Sequence, residues 1–272
     1  MNTKLAIVRN TFGDRSAFLQ LSLEYQNEAE LASKIKSFIF VDPHPTNGYS
    51  DDFDKVINKK QKRINFEQHQ GKLYWYSSIK HMFDNYKYDY ILSIADDVII
   101  SKDYLKICNQ IMEDKVLDSK TILCFHAGAW DKPKGDKNNI VRSSASSNSI
   151  LITREKFKLV EDFVKENALN MIDNNHMISE ILNNKEMTTI APEYNRHSHF
   201  GIYGYTVNRK HGNLEGQSSV FSKNKSHEDL YELLKKSCLK GKKLASLNKN
   251  QNPRYFWDFD SNVDFDTLKY TL

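Results

Sequence analysis

Cysteine is scarce in this chain of 272 residues, and the three that occur, Cys108, Cys124 and Cys238, follow no spacing. An odd, scattered set makes neither a disulfide framework nor a zinc site, so each reads as a buried thiol in a reducing, cytoplasmic setting. No apolar run reaches the eighteen residues or so that a membrane-spanning helix needs. The opening Met1-Asn2-Thr3-Lys4 passes straight into a short apolar strand, without the layout of a signal peptide. No segment repeats. A strong charge of either sign is also missing: the formal net charge of +4 permits an acidic partner without requiring one.

What is present suits a globular α/β protein. Hydrophobic residues make up 39% and charged residues 27%, and 14 Tyr with 15 Phe leave rings over for stacking on bases or sugars. Lys4 to Val8 reads as a first strand ended by a polar loop, and residues 16–33 have helical spacing. Ser37 to Val41 is a second buried strand, and 46–70 a polar loop with a short helix. Residues 71–86 return to helical spacing, followed by the strand Tyr90 to Ile94, a helix over 103–114 and the strand Thr121 to Phe125. This alternation predicts a mainly parallel sheet with helices on its faces. Ligands of such sheets bind beyond the carboxyl ends of the strands, where Arg9, Asp42 and the pair Asp96-Asp97 all fall. The second half is less regular: a polar loop at 131–149, a strand at 149–153, helices at 154–166 and 175–184, then a His-, Gly- and Tyr-rich loop at 193–213. The expected division is a domain over 1–215, with a donor half to about 130 and an acceptor half after it, and a Lys-rich helical extension over 216–272.

Two adjacent acids closing a buried strand repel one another and lose hydration, so something must compensate them. A divalent cation carrying a diphosphate would do so, because hard oxygen ligands suit Mn²⁺ or Mg²⁺. The alternative is plainer: Asp96-Asp97 opens a turn or caps the helix beginning near Asp103.

The surrounding residues carry a resemblance. Ile91-Leu92-Ser93-Ile94-Ala95-Asp96-Asp97 and the following Ser101-Lys102-Asp103-Tyr104 resemble the acidic motif of glycosyltransferase family 13 and its Ser-x-Asp-aromatic sequel. Ala129-Trp130-Asp131 falls where that family has a Trp-containing segment, and Pro192 to Gly204 is similar to its Pro-acid-x-Ser-Arg loop ending in Phe-Gly-x-x-Gly. Order and spacing agree over roughly residues 4–210.

The resemblance implies a GT-A fold, Rossmann-like, and a metal-dependent, inverting transfer from a nucleotide-sugar, UDP-sugar favoured, to an acceptor hydroxyl. It makes Asp97 the metal ligand and places Asp96 at the ribose, Arg9 at the nucleotide or diphosphate, and Asp42 at a uracil-like base. Arg196 and the loop through Gly204 would fold over the donor, and His199 and His197 lie where they can close on metal or diphosphate. Ala95 stands where the family has Glu, which argues against N-acetylglucosamine as the donor sugar, and Asn195 replaces its Ser. Asp173, just before the helix at 175–184, is the expected catalytic base, with an N-cap as its structural alternative and Glu180 as fallback.

His126 is expected to line the acceptor side, whereas His44, His69, His81, His176, His211 and His227 read as surface or packing residues. The tail lysines, among them Lys235, Lys240 and Lys249, read first as a solvated face. They also suit an anionic membrane carrying a lipid-linked acceptor, or DNA phosphates if the enzyme glycosylates a hydroxymethylated base of phage type. The acceptor is left open among a glycan, a lipid-linked sugar, a protein and modified DNA, and the Asn/Lys/Ile-rich composition suits a bacterial or viral setting. Two rivals remain at this stage. A sugar-phosphate nucleotidyltransferase would want a Gly-rich basic loop after the first strand, where only Gly13 and Arg15 appear. A transferase-like module that binds glycan or nucleic acid without catalysis is the other.

Overall fold

The computed structural model describes residues 4–13, 15–43, 48–128, 135–143, 148–167, 174–200, 226–237 and 265–272. The first strand, β1 (Leu5–Phe12), lies between β2 (Lys36–Asp42) and β4 (Tyr90–Ala95) and pairs in parallel with both. Its side chains alternate between two cores: Ile7 packs on one face of the sheet, Ala6 and Val8 on the other. Both faces are covered, which is why the strand reads as an unbroken apolar run.

Among the described residues the sheet has nine strands in the order β11-β7-β9-β6-β8-β4-β1-β2-β3. To those already named it adds β3 (Gln61–Asn65), β6 (Ile122–His126), β7 (Asn139–Ser143), β8 (Ser149–Thr153), β9 (Thr188–Pro192) and β11 (Lys269–Thr271). β1, β2, β3, β4, β6 and β9 share one direction, while β7, β8 and β11 run against them. A separate two-stranded ribbon joins β5 (Val98–Ile100) to β10 (His197–His199) in antiparallel pairing.

Helices flank the sheet. On one side lie α1 (Ser16–Glu28) and α4 (Tyr104–Glu113), the latter burying Tyr104, Leu105, Cys108, Ile111 and Met112 against Ile7, Leu92 and Ile94. On the other lie α3 (Tyr74–Asn85), α5 (Arg154–Asn167) and α6 (Asn174–Asn184). Helix α3 shows the reason plainly, since its buried residues Trp75, Ser78, Ile79, Met82 and Phe83 fall on one stripe at three- and four-residue intervals. Two further helices, α2 (Phe53–Val56) and α7 (His227–Ser237), pack at the α1 edge, with Leu230 and Leu234 of α7 against Ala17, Phe18 and Leu21 of α1. Among the described residues no helix is long and apolar enough to cross a membrane.

The mainly parallel sheet with helices on both faces is the architecture expected. The strands β3, β7, β9 and β11 are additions to that expectation, since their stretches carry loop or tail character or no clear periodicity in the sequence. β1 also runs to Phe12 rather than stopping at Val8, and this corrects the place of Arg9. Arg9 is a mid-strand residue with no solvent exposure, aimed at α1 and not at a ligand. Its Nε donates to Gln26 Oε1 at 2.8 Å, its Nη1 to Ser22 Oγ and to the carbonyls of Ala95 and Val98, both at 2.9 Å, and its Nη2 to the Ser22 carbonyl at 3.3 Å. Burial pushes this guanidinium down from its usual range, and the nearby carboxylates of Asp96 and Asp97 push it back up. Arg9 thus ties β1, α1 and the turn between β4 and β5 into one unit.

Replacing it with Leu takes a donor away from three carbonyls, a hydroxyl and an amide oxygen. Arg9→Leu is expected to lower the unfolding free energy by about 3–5 kcal/mol, the scale for stripping one partner from a buried charged network. Urea denaturation checks this; a loss below about 1 kcal/mol, the value of an exposed pair, would show that Arg9 is not an anchor.

Candidate active site

Asp96 and Asp97 form the turn between β4 and β5 at the carboxyl end of the parallel strands. The backbone fixes them from three directions. Asp96 N–H donates to the Asn10 carbonyl at 3.1 Å, Ala95 N–H to Asn148 at 2.9 Å, and Phe200 N–H to the Asp97 carbonyl at 2.8 Å.

The cation that answers this pair is Arg15, which opens α1. Its Nε donates to Asp96 Oδ2 and its Nη2 to Asp96 Oδ1, both at 2.9 Å, a two-pronged fork, while the same Nη2 reaches Asp97 Oδ2 at 2.8 Å. Such bidentate charge-assisted contacts are among the strongest a protein makes. The Thr11 hydroxyl adds a third donor to Asp96 at 2.7 Å. The helix beginning at Ser16 brings its positive end to the same corner. Arg15 is itself held by stacking 4.3 Å above the Phe18 ring, and Phe18 stacks on Phe200 with centroids 5.8 Å apart.

The two acids are therefore unlike. Asp96 is buried, with three donors on it, whereas Asp97 keeps a partly exposed carboxylate whose Oδ1 lies 3.2 Å from His199 Nε2. Burial raises both carboxyls. At Asp97 the neighbouring His199 and the Arg15 guanidinium outweigh burial and hold the group well below the usual carboxylate range, while Asp96 stays above it, with Arg15 drawing it back.

His199 reaches this position through the ribbon: His197 pairs with Ile100, Ser198 with Ile99 and His199 with Val98. The approach is pinned by Arg196 N–H on the Ala127 carbonyl at 2.8 Å and Ser101 N–H on the Arg196 carbonyl at 2.9 Å. Gly128 serves the same junction. It sits at φ +118°, and a Cβ there would come within 2.4 Å of Asn195 Oδ1 and 3.1 Å of its Cα, so only glycine lets the two segments meet.

Arg196, expected over the donor, is instead fully buried and pairs with Asp103, Nη1 to Oδ2 at 2.9 Å. Its Nη2 donates to the Lys137 carbonyl at 2.9 Å. The Ser-x-Asp of the motif thus forms the socket for Arg196, with Ser101 Oγ donating to Asp103 Oδ1 at 2.6 Å. His197 and His126 are likewise buried, and burial pushes His197 down to about 3, with His199 and His126 adding to the effect, so His197 is a neutral ring inside the fold.

Asp42 ends β2, buried, with Oδ1 accepting the Gln70 N–H at 2.8 Å and Oδ2 2.7 Å from His69 Nδ1. Burial raises its carboxyl, and the Gln70 amide and His69 lower it in part. Asp173 lies outside the described residues, as do Trp130 and residues 201–204. The structure thus brings Asp96, Asp97 and His199 together, sets Asp42 two strands away, and withdraws Arg9 and Arg196 into the interior. Arg15 is the residue that sequence reasoning passed over. Its signal was available: it is the basic residue that follows the β1 loop and opens a helix.

No family model matches this chain, and no curated protein does. Among solved structures it is similar to the galactosyltransferase LgtC in complex with donor and acceptor sugar analogs, at 12% identity and a TM-score of 0.39, over 65% of this chain and 70% of that one. The S. aureus TarS fragment 1–349 in complex with UDP-GlcNAc aligns at 12% identity and a TM-score of 0.46, over 72% and 58%. The mannosyltransferase PcManGT from Pyrobaculum calidifontis, in complex with GDP-Man and Mn2+, aligns at 10% identity and a TM-score of 0.45, over 70% and 55%. Likeness at this level assigns no chemistry to the present chain; its own residues must supply that.

Proposed function

We propose that this protein is a glycosyltransferase that takes its sugar from a nucleoside-diphosphate donor with a divalent cation at Asp97 and His199. The observation that carries the reading is the 3.2 Å approach of Asp97 Oδ1 to His199 Nε2 at the rim of the parallel strands. Two ligands at right angles around a cation, each at about 2.1 Å, lie about 3 Å apart, so the pair has the spacing of neighbouring ligands. One carboxylate oxygen and one imidazole nitrogen suit Mn²⁺, and Mg²⁺ less well. Among the described residues no group of three or more such side chains gathers, which leaves the other positions to water and the donor's diphosphate. When bound, the cation would offset the charge that develops on the leaving diphosphate. The sequence likeness to glycosyltransferase family 13 around Asp96-Asp97 supports the same reading.

The chain's own residues have separate tasks in this scheme. Arg15 and Thr11 hold Asp96 so that it positions the turn, and Arg15 occupies Oδ2 of Asp97, leaving Oδ1 presented. Its guanidinium also keeps a positive charge beside the site of the departing phosphate, where preorganised charge lowers a barrier most. For the inverting course, Asp173 takes the proton from the acceptor hydroxyl as that oxygen attacks opposite the leaving group.

Asp97→Ala is expected to cut sugar transfer on the order of a thousandfold, the worth of several kcal/mol of charge stabilisation, with thermal unfolding still cooperative. Transfer or donor hydrolysis is measured with UDP-sugars and Mn²⁺; wild-type activity that survives chelation rules out the metal assignment. Arg15→Ala leaves two adjacent acids without their cation. We expect it to lose about 2–4 kcal/mol of stability and to regain part of that with Mn²⁺, which then stabilises the variant more than the wild type. Equal melting curves for the two proteins contradict the role given to Arg15. Asp173→Asn is expected to lower kcat by about two to four orders of magnitude with nucleotide affinity unchanged; a parallel loss of both makes Asp173 structural.

A further inference from the structure

The contact between Asp42 and His69 has no part in holding a cation, and it joins a buried acid to a ring that reaches solvent. Asp42 is 1% exposed and His69 34%. The approach of Nδ1 to Oδ2 is off the ideal line for a ring N–H, yet the two atoms are 2.7 Å apart. Without a shared proton, that separation would set lone pair against lone pair. A carboxylate can only accept, so the hydrogen between the two atoms sits on Nδ1; with that as the ring's single hydrogen, Nε2 carries a bare lone pair.

The ring is steadied by the edge of Phe12, with centroids 5.3 Å apart. Its Nε2 is left uncovered by Gly71, which sits at φ +56° and where any side chain's Cβ would stand 3.7 Å from Nε2. The place is also suggestive. Asp42 pairs with Phe12 across β2 and β1, next to Thr11, whose hydroxyl holds Asp96. Tyr74 braces this stretch, its hydroxyl on the backbone of Thr11 and Phe40. From Asp96 at the end of β4 to Asp42 at the end of β2 is two strand spacings, about 10 Å. A nucleoside spans that gap between its diphosphate and its base.

We propose that His69 is the residue that reads the donor's nucleobase, its bare Nε2 accepting the imide N3–H of uracil, while Asp42 fixes the tautomer without touching the base. This rests on the donor reading above. Cytosine presents an acceptor at the same ring position, so its N3 would meet Nε2 lone pair to lone pair, and the site rejects it. Thymine carries the same N3–H as uracil and passes this edge equally well.

The test is binding of UDP, dTDP and CDP, each with Mn²⁺, by calorimetry. Wild type is expected to prefer UDP and dTDP over CDP by roughly tenfold to hundredfold, the cost of leaving a buried polar edge unmatched. His69→Ala, with circular dichroism and melting temperature as controls for the fold, is expected to bring the two affinities within about twofold, mainly by weakening UDP. Asp42→Asn, whose amide can donate to Nδ1 and move the proton to Nε2, shifts the preference toward CDP. A His69→Ala protein that keeps the wild-type ratio overturns the inference, as does wild type that binds CDP as well as UDP. Wild type that binds no nucleoside diphosphate ends the donor reading as well, so the two failures are distinct. Nitrogen-15 spectra of the histidines in the free wild-type protein supply a ligand-independent check: the proton on Nδ1 of His69 supports the assignment, and a proton on Nε2 sinks it.

Discussion

Two neighbouring carboxylates withdrawn from water at a strand end set the terms for everything around them. Desolvation alone costs several kcal/mol for each ion, and their mutual repulsion adds to it. The fold meets this with two arginines from the β1–α1 segment, used differently. Arg9 lies below the turn and holds its carbonyls; Arg15 lies at the acids themselves and forks onto them. Because both come from one strand–helix unit, the packing of α1 on the sheet and the neutralisation of the acids are a single event. Phe18, Leu19 and Leu21 of α1, all buried, therefore stabilise the electrostatics as well as the core.

That division of labour explains why the acids differ chemically despite being adjacent. Asp96 is saturated and rigid, a fixture of the scaffold. Asp97 has one oxygen tethered and the other turned to His199, so a ligand meets a carboxylate whose orientation is already determined. Preorganisation of this kind is what a site must possess if the cost of ordering its groups is not to fall on the binding step. Farther along the rim lies another buried acid, Asp42, held by a backbone amide and set close against a ring, which in the proposed reading works through that neighbour and not by direct contact.

The parts of this arrangement that depend on periodicity were legible in the sequence. Apolar runs at β1, β2, β4 and β6 and the stripes of α3 and α4 announce a parallel sheet with helices on both faces, and the acid pair at the end of β4 marks the rim. Edge and junction strands were not legible. Gln61–Asn65 and Asn139–Ser143 are polar and half exposed, and their strand character comes from pairing with neighbours that a single segment does not reveal. Arg9 departs from its expected place for a related reason. Reading β1 as ending at Val8 puts Arg9 at the rim; the strand's four further residues turn it inward and bring Thr11 and Arg15 to the place assigned to it. A charged residue in a loop, such as Arg196, suggests a ligand, whereas its actual partner Asp103 is 93 positions away. His69 carried no pattern at all, since only the fold brings it to Asp42.

The ribbon that sets His199 against Asp97 joins segments about a hundred residues apart. During synthesis the chain emerges at about 5–20 residues per second, so several seconds separate the two. Both arginines precede the acids in the chain, so the groups that answer the carboxylates and their turn are synthesised before them. The imidazole arrives last. The arginines, the acids and the imidazole thus enter the chain in that order, and the ribbon that sets His199 against Asp97 can close only after the later half has been made.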